Sequence, residues 1–535
     1  MGILDAKTLM SRHEDAMKDR DLWRHLYRDA YRYGQPHRDT VERTVTKGEP
    51  RTDLVFDSTA VKSIARSANR LQDLIFPAGK LFVKPEPGPR FDEADDAQKR
   101  ALRNQLEEIN ERFHAAIWRS NFQAAINEAI QDLFIGTGAL LMNEGPQWDP
   151  FHFTAVPQFL IGVREGPWGT ISDVSREVRL HPSVAKQTWP DAEIPQDQVA
   201  SEQTDGNKRH YVEITYADFE NGPIGGGQVA PQPAKWWYTV LDKTEGKKLV
   251  KDREMPDVSP WIVVRWLKSP EEIRGRGPVL QSIGHIRTVN KVTEFILKNA
   301  SIAIGGLWTA VDDGVFKPRT TPFTTGSVIP VASNGGTRGP SIMPLEFPGN
   351  FDVSQLVLED LRAQIKEALF DSNLPPVAGP VRTATEFIER LRDLTMDIGP
   401  AAGRIQKELL EPLYLRGLLI LAKKGIIDLP AEIALNSQNI RLTVVSPLAQ
   451  RQALDDIQSV VQWLELSSFL GPELVALKVR IDKLPEWLGA KLGVPPELIR
   501  DEVDEQQVLQ VVGDMIAAAQ NQPAATNGAA VNGTA

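Results

Sequence analysis

Side chains whose type and spacing could support catalysis are few in this chain. No G-x-x-x-x-G-K-[ST] stretch exists, because Gly79-Lys80 and Gly246-Lys247 both lack the preceding glycine, so no backbone cradle for nucleotide phosphates is encoded. There is no H-E-x-x-H, and the eight His residues are scattered without ligand spacing. The absence of Cys removes a thiolate zinc site, a disulfide scaffold and a Cys nucleophile, and fits a chain made in a reducing cytoplasm. Gly136-Thr137-Gly138 and Gly275-Arg276-Gly277 do not complete a dinucleotide fingerprint and read as turn or cap glycines. The acidic pairs Asp95-Asp96, Asp312-Asp313 and Asp455-Asp456 could ligate a metal, but adjacent carboxylates on a helix or strand point in different directions. Solvated faces explain them better. The expectation is a protein that is not an enzyme and needs no cofactor.

Charge is more informative. The chain has 61 Lys plus Arg against 71 Asp plus Glu, a formal net charge of -10, which argues against a protein that grips DNA through a basic surface. It does not argue against one that lets DNA pass. The stretch to Arg90 is modestly basic (17 against 13), and from Pro430 onward the balance is acidic (7 against 13). One helical segment carries Arg287, Lys291, Glu294 and Lys298 at spacings of four, three and four. That stripe is either a solvated face or a row of cations meeting a polyanion.

The elements that would position such a stripe follow from periodicity. At 535 residues and 41% hydrophobic, the chain can form about three or four core-forming units or one elongated protomer. Met1 to Tyr33 lacks the apolar centre of a signal peptide, and Leu413 to Ala422 is too short to span a bilayer, so no membrane partner is expected. Ile3 to Tyr33 spaces its apolar residues as one amphipathic helix. Ser58 offers an N-cap for a helix from Thr59 to Phe76, and further helices run from Ala94 to Arg119 and Phe122 to Ile135. From Ala139 to Trp266, short alternating runs between Gly, Pro and Asp turns predict antiparallel strands, with Gly222 to Pro233 an exposed loop.

The second half has a distinctive order. Pro278 to Ile302 predicts a helix roughly 37 Å long. Gly305 to Asn350, rich in Gly, Pro, Thr and Ser with β-like pieces at Trp308 to Val311 and Ser327 to Val331, separates it from a second helix. That helix, opened by an Asp352/Gln355 capping box, runs to Phe370. Asp371 to Arg382 is too Pro-rich for a helix; a long helical tract from Thr383 to Lys424 follows, interrupted at Gly399-Pro400 and Pro412 and ended by Gly425. A strand from Ile440 to Val445 precedes helices from Leu448 to Gln520 and a disordered tail, Asn521 to Ala535. The fold class expected is α+β, mainly α.

Seven segments in order resemble the portal (head-to-tail connector) protein of short-tailed, double-stranded DNA bacteriophages. They are FDSTA (Phe56 to Ala60), LQDLIFPAGKLF (Leu71 to Phe82), SNFQAAINEAIQDLFIGTGALL (Ser120 to Leu141), PWIVVRWLKSPEEIRGRGPVLQSIGHIRTVN (Pro260 to Asn290), TATEFIERL (Thr383 to Leu391), GPAAGRIQKELLEPLYLR (Gly399 to Arg416) and SPLAQRQ (Ser446 to Gln452). The segment from Pro260 to Asn290 is the most specific, and the resemblance covers nearly the whole chain. It implies a ring, usually of twelve copies, at one capsid vertex of the virion, assembled in the host cytoplasm, that passes DNA during packaging and ejection. It also implies a portal fold: a wing at 1–277 and 383–447, stem helices at 278–304 and 351–370, a β-rich clip at 305–350, a tunnel loop at 371–382, a helical crown at 448–520 and a tail at 521–535. The partners implied are further copies of the chain, double-stranded DNA, the major capsid protein, scaffolding protein, the terminase large subunit and tail adaptor or nozzle proteins. On that plan Lys291, Lys298 and Arg382 are candidates to face DNA, although Arg287, Lys291 and Lys298 could instead bridge to a neighbouring subunit. Asn373, Pro375, Pro376, Gly379 and Pro380 shape the tunnel loop, and Lys317, Arg319 and Arg338 are candidates for partner binding by the clip. Rival readings are a nucleic-acid-processing phage enzyme and a structural tail protein without a channel.

Overall fold

In a computed structural model, the residues described are 4–41, 48, 50–88, 96–201, 203–218, 235–255, 258–305, 308–310, 342–344, 351–371, 399, 401–428, 440–444, 457, 459–465, 484 and 488–489. Two compact units divide the chain, Met1–Thr443 and Val444–Ala535. Within the second unit, residues 459–465 are helical.

The N-terminal periodicity produces two helices where one was expected: α1 (Ala6–Leu22) and α2 (Arg24–Gly34). Trp23 interrupts them. Its backbone N–H bonds back to the Arg20 carbonyl, and its indole stacks on Tyr27 with ring centroids 5.6 Å apart. Helix α3 (Thr59–Ile75) buries Ala60, Ser63, Ile64, Ser67, Ala68 and Leu71, a face of small residues at helical spacing that lets other helices approach closely. Its N-terminal cap is not Ser58, which makes no capping bond, but Asp57, whose Oδ1 accepts from the Thr59 N–H at 2.9 Å.

Strand β1 (Val83–Pro87) follows, then α4 (Asp96–Arg119) and α5 (Phe122–Ile135). Phe76, Phe82, Phe113 and Phe122 meet around β1, α4 and α5 in edge-to-face pairs with centroids 4.9 to 6.3 Å apart. Buried among them, His114 accepts from the Phe82 N–H through Nε2 (3.2 Å), with Nδ1 2.8 Å from the Asn110 carbonyl.

The β region is antiparallel throughout, as its alternation predicts. Strands β2 (Thr137–Glu144) and β3 (Phe151–Ala155) form a hairpin. Then come β4 (Ile161–Glu165), β5 (Ile171–Leu180), the short helices α6 (Pro182–Thr188) and α7 (Gln196–Val199), and β6 (Arg209–Asp218). Strands β7 (Lys235–Asp242), β8 (Lys248–Met255) and β9 (Trp261–Arg265) complete it. Strands β4 to β8 form a five-stranded meander in chain order, and β3-β2-β9 a separate three-stranded sheet. Ala139, Leu141, Val163, Val174, Trp261 and Val263 pack the two sheets together. Helix α1 lies on the larger sheet through Leu9, against Val212, Ile214 and Leu241. His13 of α1 is buried there, with Nδ1 2.9 Å from the Ser175 hydroxyl.

The two glycine motifs meet each other. A Cβ on Gly136 would collide with the Gly275 carbonyl, one on Gly275 with the Gly136 carbonyl, and one on Gly277 with the Phe134 carbonyl. Three hydrogen bonds of 2.9 Å close the contact: Trp266 N–H to the Gly136 carbonyl, Gly277 N–H to the Ile135 carbonyl and Gly275 N–H to Thr137 Oγ1. These glycines serve backbone-to-backbone packing between the end of α5 and the strand β9 exit. Between them, Arg274 is 1% exposed and donates to the carbonyls of Gln158 (2.8 Å) and Ile161 (2.7 Å).

Helix α8 (Pro278–Gly305), strands β10 (Trp308–Ala310) and β11 (Ile342–Pro344), and helix α9 (Phe351–Ala368) come next. Asp352 thus lies inside α9 rather than at its cap. The tract through Pro412 contains a π-helical turn, Gln406–Leu410, leading into α10 (Glu411–Lys423). Pro412 lacks an N–H and crowds the carbonyl of Glu408, which accounts for the widened turn. Gly425 at φ +67° ends α10, with Ile426 N–H reaching the Leu421 carbonyl in a Schellman closure. Strand β12 (Ile440–Val444) pairs with β1. The expected segments at 222–233, 327–331, 383–398 and 466–483 and the tail at 521–535 lie outside the described residues.

Burial lowers the pKa of His13 and of His114 from 6.5 to about 4. Each is neutral when folded, so the unfolded chain binds more protons between these values. Their stabilisation is complete above pH 6.5 and is lost as the pH falls toward 4, by about 3 kcal/mol each at the limit. Urea midpoints should fall from pH 7 to pH 5, and His114→Asn should flatten that fall; equal slopes in the two proteins would contradict it.

Candidate functional site: a helix pair and its root

Helices α8 and α9 are 28 and 18 residues long, about 42 and 27 Å at 1.5 Å per residue. Between them β10 and β11 pair antiparallel, Trp308 opposite Pro344 and Ala310 opposite Ile342, so α9 returns along α8. Burial along α8 is uneven. Val279, Leu280, Ile286, Val289 and Asn290 are buried, whereas Phe295 and Leu297 are each 52% exposed. On α9, Val357 is 47% exposed but Leu358, Ile365 and the following Leu369 are buried. The pair is embedded at one end and open beyond Asn290.

Asn290 marks the boundary. Its Oδ1 accepts from the backbone N–H groups of Phe56 (2.7 Å) and Asp57 (3.1 Å), and its Nδ2 donates to the Leu54 carbonyl (3.0 Å). A side-chain amide therefore stands in for a β-ladder partner to the loop before α3. On the other helix, Arg362 donates from Nε (2.9 Å) and Nη2 (2.7 Å) to Asp57 Oδ2. Burial opposes charge on Asp57, but the bonds from Thr59 and Arg362 outweigh it and hold its pKa below the usual carboxylate value. One acidic side chain thus caps α3 and ties it to α9, while Asn290 ties the same loop to α8.

A second junction lies where α9 ends. Phe370 adopts φ +60°, a left-handed conformation that costs a non-glycine residue about 1 kcal/mol or more. Its ring stacks on Trp266 at 5.9 Å, which offsets that cost. The next residue, Asp371, accepts from Ser63 Oγ at 2.8 Å and pairs with Arg66 (3.6 Å) and Arg70 (3.4 Å), all on α3. The loop before α3 therefore holds α8 at Asn290 and α9 at Arg362, and α3 itself holds the end of α9 at Asp371. Gly34 lets α2 seat against the same root, where an added Cβ would press on Ile64 and touch Val279.

The charged stripe is present on α8, and its cations are engaged. Arg287 Nε lies 3.5 Å from Asp29 Oδ2 on α2. Lys291 and Lys298 both bond Glu294, at 2.9 and 2.5 Å, and Lys291 also sits 4.8 Å from the Phe295 ring centroid. Structure thus gathers Lys291, Glu294 and Lys298 into one group. Arg382, Asn373, Pro375, Pro376, Gly379, Pro380, Lys317, Arg319 and Arg338 lie outside the described residues. Asn290, Arg362 and Asp371 escaped the sequence reading, although Asn290 closes one of the resembling segments and Asp57 sits inside FDSTA. Among the described residues no His/Cys/Asp/Glu group could hold a metal ion, and no helix is long and apolar enough to cross a membrane.

The described residues thus form a mixed helix-and-strand body carrying two helices joined through a pair of antiparallel strands. The family model described as bacteriophage head to tail connecting protein matches residues 6–499, and the chain belongs to this family. More particularly, it is similar to the portal protein of Enterobacteria phage T3, 21% identical over 423 residues covering 76% of this chain and 71% of that one. The portal protein of Escherichia phage T7 is likewise 21% identical, over 420 residues with the same coverage. The probable portal protein of Bordetella phage BPP-1 is 26% identical over 267 residues, and the chain spans 46% of its length. A solved chain from the virion of a native gene transfer agent particle is covered to 96%, and 85% of this chain with it, at 12% identity and a TM-score of 0.33.

Replacing Asn290 with Ala would strand two backbone N–H groups and a carbonyl at a part-buried site, costing about 2–3 kcal/mol. The expected signature is faster amide exchange at residues 54–57 and along α8, with β4 to β8 unchanged. Exchange in N290A that matches the parent at 54–57 would show that Asn290 does not hold the root.

Proposed function

We propose that this chain is the portal of a phage particle: copies close into a ring at one capsid vertex, and the double-stranded genome passes through the hole. The observation that carries the reading is the α8–β10–β11–α9 hairpin, rooted on α3 within a chain that the connector family matches from residue 6 to 499. On this reading α8 and α9 are the stem, 305–350 the clip, 371–382 the tunnel loop, 1–277 and 383–447 the wing, and 448–520 the crown.

The physical requirement is to admit DNA without holding it. Duplex DNA carries about one negative charge per 1.7 Å, and each phosphate neutralised by a cation adds affinity that must be broken for the duplex to advance. A chain of net charge -10 whose α8 lysines, Lys291 and Lys298, are both paired to Glu294 suits a wall that duplex can slide past. Ring symmetry repeats each such group around the axis. Arg382 of the tunnel loop is a further candidate to meet DNA. The loop leaves α9 directly beyond Asp371, so α3 sets where it begins. The clip, at the far end of the stem, would dock the terminase large subunit during packaging and tail adaptor or nozzle proteins afterwards. Contacts to the major capsid and scaffolding proteins would fall to the wing.

Negative-stain microscopy of the purified full-length chain tests this reading. Rings of about twelve copies with a central hole are expected. Monomers alone, or solid fibres and spikes, would overturn it.

A further inference from the structure

Resting on the reading that α8 lines the bore, we infer that Glu294 is the residue that limits how strongly the stem attracts DNA. One carboxylate receives both lysines of the stripe, Lys291 from three residues before it (2.9 Å) and Lys298 from four residues after (2.5 Å). The two lysine side chains are 57% and 62% exposed, and Glu294 between them is 16% exposed. Lys298 and Lys291 hold the Glu294 carboxyl below its ordinary pKa, so it stays charged across the neutral range. Arg287, one turn inward, is balanced by Asp29 of α2. Beyond Arg287, the stripe on α8 therefore presents two accessible ammonium groups but one net positive charge.

The distinction matters because exposed ion pairs are weak and exchange readily. A passing phosphate can draw either lysine away from Glu294, yet the freed carboxylate then repels the same phosphate. The lysines can follow the duplex without settling on it. Phe295 beneath Lys291 keeps that ammonium near the helix surface, its ring centroid 4.8 Å away. Without the carboxylate, both cations would be free to neutralise phosphates, and ring symmetry would multiply the gain.

The substitution Glu294→Gln tests this, because Gln preserves length and helix propensity while removing the charge. Rings of the full-length parent, of E294Q and of K291Q/K298Q would be titrated with a fluorescent blunt-ended duplex between 50 and 200 mM salt, with ring integrity checked by sizing. E294Q should bind more tightly, and its salt dependence should steepen by about 0.9 in log–log slope per added phosphate contact, roughly a 3.5-fold larger loss across that range. K291Q/K298Q should be shallower than the parent. If K291Q/K298Q is shallower but E294Q matches the parent, the inference about Glu294 falls and the channel reading stands. If all three intact rings share one slope, the stripe does not line the bore and both fall. Rings that dissociate only in E294Q would make Glu294 an assembly residue and overturn the inference.

Discussion

The amide of Asn290 is the contact on which the helix pair depends. It satisfies two N–H groups and one carbonyl of the loop at residues 54–57, at the position on α8 where burial stops. Backbone groups in such a loop have no ladder of their own, and leaving them unpaired away from water is costly. The same loop delivers Asp57, which caps α3 and receives both donors from Arg362 of α9. Two helices separated by a long connection are thus fixed to a third element rather than only to each other.

That third element is itself held within a rigid body. Its small-residue face packs against α5, and α5 runs directly into the backbone contact of Gly136 with Gly275. Arg265 of β9 reaches across to Glu408 in the π turn, donating from Nη2 at 2.7 Å, and Gly417 of α10 fits against the Phe113 ring. Such tight contacts leave few alternative packings. Strain collected at the tip of the pair would therefore be delivered to α3 and to the start of the segment beyond Asp371.

Much of this was legible in the sequence because apolar spacing alone specifies it. Phe122 to Ile135 was expected and found with the same bounds, and the antiparallel region between Ala139 and Trp266 follows from alternation. The break at Trp23 was not legible, since the apolar spacing runs through it without interruption. Nor was the role of Asp57, because the neighbouring Ser58 is an equally good cap by composition and only Arg362, 305 residues away, decides between them. The stripe on α8 was visible as spacing. That both lysines would turn to Glu294 depends on rotamers, and a polar residue such as Asn290 on a helical face gives no sign of which backbone it will serve.

In a ring that passes duplex, α8 would stand in the wall of the hole. Electron cryomicroscopy of the assembled full-length chain tests this most directly: the map should show α8 beside the central axis, with Lys291, Glu294 and Lys298 facing a bore wide enough for B-form duplex. A bore too narrow for duplex, or α8 on the outer surface of the assembly, would contradict it.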